Sequence, residues 1–331
     1  MPQVTPSPQP PLEFKHVTQT APFDLRTGFP AWLGALVGVG AGLLYGMVGF
    51  FLLKIPNAQQ MGEVLFLMLP FVVGATIALV TPRPIAGAAV LSTMVSLLLC
   101  LAMLIRVHAE GFLCAVLAFP VIFVALMIGV GIGILLRKMI RPFESTKMNA
   151  LILALGPVLL FGSHRFEERT YPQPRTAVVT TTMHLSAPPE EVWRNIQSLD
   201  SLAGRKPFLM HIGLPIPQKC VLEGTSVGSK RICYFDQGSI EESVLEWDPP
   251  RKMRLAIDRT NMPGRHWLSF NGAEYDLRAD ATGTTITRTT TIRSTLRPAW
   301  YWAPFETWGV QSEHQYLFRD LAGRFSDTPT H

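Results

Sequence analysis

Arg231 and Glu242 stand symmetrically about the turn Asp236-Gln237. A regular hairpin through that turn sets them opposite one another with both side chains on one face. On an exposed face they make a solvated ion pair of small value; facing an apolar pocket, they orient the polar end of a ligand. Cys220 and Cys233 form a second symmetric pair, about Ser226-Val227. In register, and outside a reducing compartment, such cysteines close a cross-strand disulfide; the other reading is two unrelated buried thiols. His184, His211 and His266 have neither ligand spacing nor a carboxylate cluster, so no metal is expected. His184 and His266 read as surface or loop residues. His211 is the weak candidate for acid–base chemistry, which requires a geometry that spacing alone does not supply. Cys100 and Cys114 lie within apolar runs and read as small filling.

The elements that must position these residues follow from period and punctuation. Ala177 to Ser186, rich in Val and Thr, reads as a strand stopped by Ala187-Pro188-Pro189, and Glu190 to Leu199 as a helix with acids in its first turn. Period-two segments follow at Lys219 to Leu222, Lys230 to Phe235, Ser239 to Trp247, Lys252 to Asp258, Leu268 to Arg278 and Thr284 to Ser294, separated by turns such as Asp236-Gln237-Gly238 and Ala281-Thr282-Gly283. Ala299 to Phe325 reads as a long final helix, where Pro304 predicts a kink or restart.

This order, with Ser186-Ala187-Pro188-Pro189-Glu190-Glu191-Val192-Trp193, the Gly228 to Arg231 hairpin, Gly238 to Glu242 and Glu246-Trp247-Asp248-Pro249, resembles the START-like, helix-grip superfamily of polyketide cyclase and dehydrase-like proteins, SRPBCC. The resemblance covers residues 175 to 326, about half the chain. It implies an α+β domain over residues 177–326, a curved antiparallel sheet around the long C-terminal helix with an apolar cavity between them. It also implies that Arg231 and Glu242 line the cavity and that His211, in the stretch Phe208 to Pro217, borders its mouth. Tyr234, Tyr301 and Trp308 join them as ligand-binding candidates. Trp300, Tyr301, Trp302, Phe305 and Trp308 crowd the start of the last helix, where they suit a core, a cavity wall or a membrane interface.

Upstream the chain changes character. Through residue 163 it holds nine Lys or Arg and five Asp or Glu, a net of +4, while the remainder carries twenty and nineteen, a net of +1. The soluble part therefore concentrates no basic face, and nucleic acid is not an expected partner. Residues 1–28, rich in Pro, Gln and Thr, read as a disordered tail without the pattern of a cleaved signal peptide. Five apolar runs follow within residues 29–163, at 31–53, 63–80, 85–105, 112–136 and 148–162, and predict an α-helical transmembrane bundle of about five spans. The last is short and contains Pro157; a linker at 164–176 then leads to the domain, and 327–331 form a tail. Lys and Arg placement puts the N-terminus in the cytoplasm with Arg26, Arg83, Arg137, Lys138, Arg141 and Lys147, and the C-terminal domain outside, across a bacterial inner or plasma membrane. If the fifth run does not cross, the domain moves to the cytoplasm. Gly34, Gly38, Gly42 and Gly46 mark one helix face for close approach, either to the other spans, with Gly129 and Gly133 as a matching surface, or to a second copy in a homodimer. No ionisable residue lies well inside a run, which argues against an ion-coupled transporter.

The expected function is that of a membrane-anchored protein holding a lipid or other hydrophobic small molecule, without a cofactor. The alternatives are a cyclase or dehydrase-like enzyme using pocket acid and base groups, and an assembly or signalling module with a filled cavity.

Overall fold

The computed structural model describes residues 36, 38–40, 42–46, 62–80, 86–106, 112–140, 146–202, 204–262 and 267–326. The two terminal tails, most of the first apolar run, Gly34 and His266 lie outside them. The described residues of 36–46 are helical (α1). A π-helical turn, Val64–Met68, leads into α2 (Leu69–Val80), followed by α3 (Ala86–Arg106), α4 (Phe112–Ile140) and α5 (Thr146–Thr170).

Small residues set how these helices meet. A Cβ on Gly129 would stand 2.1 Å from the Phe71 carbonyl oxygen, and one on Gly74 2.2 Å from that of Leu126, so α2 and α4 touch backbone to backbone. The pairs Phe71/Gly129, Ala75/Gly133 and Ala78/Arg137 advance together, which makes the two helices parallel. Gly156 lies against Val72, and Glu167 against Glu63, so α5 runs antiparallel to α2. The α1 glycines 38, 42 and 46 face Ser92, Ser96 and Cys100 of α3 within the same chain. Gly129 and Gly133 serve α2 instead, so the matching surface for α1 is a row of small polar side chains rather than of glycines.

Among the described residues one helix, Phe112–Met139, has the length and apolarity to cross a membrane; Val64–Leu79 and Val90–Met103 are shorter apolar helices. A five-span bundle is therefore not supported. Ser92, Thr93 and Ser96 dilute α3, and the apolar centre of α5 is flanked by the charged stretch His164 to Arg169. Residues 164–170, expected as linker, continue α5, with His164 and Arg165 one turn from Glu168 at 3.4 and 3.3 Å. Pro157 does not end the helix.

The C-terminal part is a seven-stranded antiparallel sheet in the order β1-β7-β6-β5-β4-β3-β2. Its strands are β1 (Arg175–Leu185), β2 (Pro217–Glu223), β3 (Lys230–Phe235), β4 (Gly238–Asp248), β5 (Lys252–Thr260), β6 (Leu268–Asp280) and β7 (Gly283–Ser294). Two helices, α6 (Pro189–Gln197) and the single turn α7 (Phe208–His211), intervene between β1 and β2, and α8 (Ala299–Ser326) covers the sheet. This is the α+β helix-grip arrangement. Strand period follows burial, as in β4, where Ile240, Glu242 and Val244 point inward. The core joins Val192, Trp193 and Ile196 of α6 with Leu255, Tyr275 and Ile286 of the sheet and Leu317, Phe318 and Leu321 of α8. Helix α8 continues through Pro304 within its second turn, so the expected restart does not occur.

The two parts share a buried seam. The Glu167 carboxylate accepts the backbone N–H groups of Glu63 (2.6 Å) and Val64 (3.3 Å), placing a negative group on the orphan donors at a helix start. Trp302 packs on Phe66 at 4.8 Å between ring centroids, Tyr301 donates its hydroxyl to the Leu117 carbonyl (2.6 Å), and the Arg297 guanidinium lies 4.0 Å over the Tyr171 ring. The first turn of α8 thus belongs to the apolar helices, and the rest of it to the sheet.

Candidate functional site

The residues that face α8 from the sheet are unusually polar. On β7 the inward positions include Thr284, Ile286, Thr290, Ile292 and Ser294; on α8 the same interface carries Glu306, Glu313 and His314 among Trp302, Val310, Leu317 and Leu321. Each polar group meets a partner. Ser294 donates to Glu306 (2.6 Å), which also pairs with Arg175, and Arg288 binds Glu313 at 3.0 Å. His314 is fully buried with its ring nitrogens 2.8 Å from the Thr290 hydroxyl and 2.9 Å from that of Thr181. Burial, reinforced by the charge of Arg288, pulls its pKa down to about 2, so the ring is neutral.

Arg231 and Glu242 complete the string. They are register partners on β3 and β4, 2 % and 5 % exposed, joined by a 2.6 Å bond from Nη1 to Oε2. Arg231 also donates to the carbonyls of Gln197 (3.3 Å) and Ile196 (3.4 Å), the negative end of α6. Burial opposes its charge, but Glu242, and beyond it Tyr275, more than compensate, and its pKa lies above the ordinary value. The Tyr275 ring sits beneath Arg288 at 5.3 Å, linking the two ion pairs. The solvated reading of the 231/242 pair fails because neither group reaches water. Not every donor is answered: the Nε atoms of Arg288 and Arg175 and the indole nitrogen of Trp193 are buried with no hydrogen-bond partner.

Cys220 and Cys233 are joined in a disulfide. Cys220 exchanges its backbone hydrogen bonds with Leu199, so it faces Cys233 at a non-hydrogen-bonded position, where strands come closest; the two Cα atoms are 4.0 Å apart. The Cys233 sulfur lies 3.8 Å from Glu242 Oε2, against the buried ion pair.

The remaining expected residues do not join this interior. Tyr234 is on the outer face of β3 beneath Lys219 (5.0 Å), because it alternates with the inward Cys233. Tyr301 is committed to the seam with α4. His211 is exposed at the end of α7, and Trp308 is exposed on the flank of α8, stacked on Phe208 at 6.3 Å. His184 binds Asp280 and Thr282 at an exposed hairpin end and, with Thr282 first, holds the Asp280 carboxyl below its usual range. Two surface clefts flank α8. One of ≈ 490 Å³ runs between Arg205–Phe208 and the side of α8 from Trp308 to Arg319; the other, ≈ 640 Å³, lies between Asp200–Lys206 and the β2 edge. Neither contains Arg231 or Glu242. Among the described residues no group of His, Cys, Asp and Glu is arranged to hold a metal ion.

Arg288, Glu313, His314 and Thr290 were not found from sequence. The available signal was Glu306, Glu313 and His314 lying in the buried stripe of α8, opposite a strand of alternating Thr.

Residues 176–325 match the family described as "Polyketide cyclase / dehydrase and lipid transport". The match covers 150 of the 331 residues, the sheet and the helices packed on it. The cyclase/dehydrase-type domain is similar to solved structures of a Chromobacterium violaceum protein (18 % identity, 46 % of this chain and 98 % of that one, TM-score 0.33) and of a Mesorhizobium loti protein (20 %, 44 % and 96 %, TM-score 0.29). No curated protein matches the chain. The match leaves the upstream helices outside the cyclase/dehydrase-type domain.

Proposed function

We propose that the chain is a membrane-anchored binding protein that holds an amphiphilic lipid or similar hydrophobic molecule between the sheet and α8. The observation that carries this reading is the unpartnered Arg288 Nε, a buried cationic donor in the polar string between β7 and α8, where Arg175 Nε is likewise unanswered. Buried donors of this kind are rarely left unmade, and a carboxylate or ester oxygen is a fitting acceptor. The family description, which includes lipid transport, supports the class of ligand.

Anchoring is supported by the surface of the helical block. Leu91, Leu98, Met103, Val124, Ile128, Leu135, Val158 and Phe161 are all exposed, and large apolar side chains gathered on an outer surface mark a membrane or partner interface. The helices alternate so that Glu63, Phe112 and Thr170 end beside the domain and Arg137 and Lys138 end away from it. The bias of Lys and Arg toward the cytoplasm then favours a domain on the outer side, a reading that the Cys220–Cys233 disulfide supports.

A second reading, a cyclase or dehydrase-like enzyme, draws on the same string: Tyr275, His314 and the Arg231–Glu242 pair are polar groups buried beneath α8 and α6.

Native mass spectrometry of the full chain released from detergent tests the binding reading, together with displacement of a fluorescent fatty-acid probe. A retained amphiphile, or saturable probe binding weakened by Arg288→Met, is the expected result. Absence of both overturns it. Turnover of a bound polyketide-like ketone that is lost in His314→Gln favours the enzyme.

A further inference from the structure

The cleft along the outer flank of α8 is separate from the interior site, and its chemistry points elsewhere. Arg205, Lys206 and Arg319 line it, all exposed, and none has a carboxylate within ion-pair distance among the described residues. Nearby, Arg324 is by contrast paired with Asp320 at 2.9 Å. At one end the cleft is closed by the Phe208–Trp308 stack, whose members remain 63 % and 42 % exposed although large aromatics are usually covered.

The depth of this end along the apolar helices can be read from two contacts. The loop after α7 touches the first residues of α4, since a Cβ on Gly213 would lie 3.5 Å from the Leu113 nitrogen. Tyr301, two turns before Trp308 on α8, binds Leu117, about one helical turn farther along α4. The aromatic stack therefore stands level with the end of α4, where a bilayer spanned by that helix has its headgroups, with exposed Trp300 and Phe166 beside the same seam. Trp and Tyr favour that depth, and unpaired Lys and Arg just above it attract anionic headgroups.

We infer that the α8 flank cleft binds the phosphate of an anionic phospholipid drawn from the leaflet beside the domain, with Arg205, Lys206 and Arg319 on the phosphate and Phe208 and Trp308 against the glycerol and upper acyl chains. The inference rests on the anchoring part of the reading above, and not on occupancy of the interior.

The test uses the full chain in nanodiscs of phosphatidylcholine and of a phosphatidylcholine–phosphatidylglycerol mixture, with native mass spectrometry of the lipids that leave with the protein. Phosphatidylglycerol is expected to be enriched over its share of the disc. Arg205→Gln, Lys206→Gln and Arg319→Gln are each expected to reduce the enrichment about fivefold at low salt, while Arg259→Gln, which removes an exposed charge on the sheet, leaves it unchanged. Arg319→Lys should retain most of it, which separates charge from misfolding. Equal retention of both lipids, or equal loss in Arg259→Gln, overturns the site. Competition by millimolar inorganic phosphate as effective as that by phosphatidylglycerol overturns the lipid source in favour of a free anion. Failure of the chain to enter nanodiscs at all overturns the anchoring itself.

Discussion

Glu242→Ala removes one partner of an ion pair in which Arg231 is 2 % exposed and its carboxylate partner 5 %. The Nη1–Oε2 bond of 2.6 Å disappears, and the guanidinium keeps only two weak carbonyl acceptors, at 3.3 and 3.4 Å. Leaving a buried charge without its counter-ion costs about 3–5 kcal/mol. For a cooperative unit the size of the domain at residues 176–325 each kcal/mol corresponds to roughly 2–4 °C in Tm, so the expected fall is roughly 6–20 °C. The melt is followed in detergent by the fluorescence of Trp193 and Trp247, which pack edge to face at 5.1 Å in the same core. The double variant Arg231→Met/Glu242→Leu should recover part of the loss, because no charge is then stranded, though the carbonyls of Ile196 and Gln197 lose their donor at a cost of about 1–3 kcal/mol. A fall below about 2 °C for Glu242→Ala would match a solvated pair and refute the buried-pair argument.

Other consequences follow from single contacts. His314 titrates near 6.5 when unfolded and at about 2 when folded, so between these values the unfolded chain binds the extra proton; stability is full above the upper value and declines below it by about 1.4 kcal/mol per pH unit. Melts from pH 7 to pH 4 should therefore fall more steeply for the wild type than for His314→Gln, and parallel curves would contradict a neutral buried ring. The Cys220–Cys233 bridge closes a 13-residue separation, and Cys220→Ser/Cys233→Ser is expected to lose up to about 3 kcal/mol, with reductant lowering the Tm of the wild type alone. Gly129→Ala meets the Phe71 carbonyl at 2.1 Å and should destabilise the detergent-solubilised chain by about 1–3 kcal/mol, whereas Gly131→Ala, which meets nothing, is neutral. Equal melts for these two would show that α2 and α4 do not pack as described.

The strand and helix order of the domain was readable residue by residue, because alternation in β4 and the turn Asp236-Gln237 are local facts that leave one sensible register. That register alone sets Arg231 opposite Glu242 and Cys220 opposite Cys233. Sequence could not show that the pair is dry, since burial depends on α6 closing over it from another part of the chain. Nor could it assign Tyr234, one residue from an inward cysteine yet on the outer face, or foresee that Tyr301 is committed to α4. His314 and Arg288 became visible only when α8 was laid across β7, for their partners are 24 and 25 residues away. The change of composition near residue 163 likewise marked two kinds of chain but not the continuity of the helix across it. Helix α5 runs through it to Thr170, and the first turn of α8 returns to pack among the apolar helices. Periodicity and charge determined the elements and their registers because those are contacts between near neighbours; the polar interior and the seam were decided by long-range packing, which no local pattern encodes.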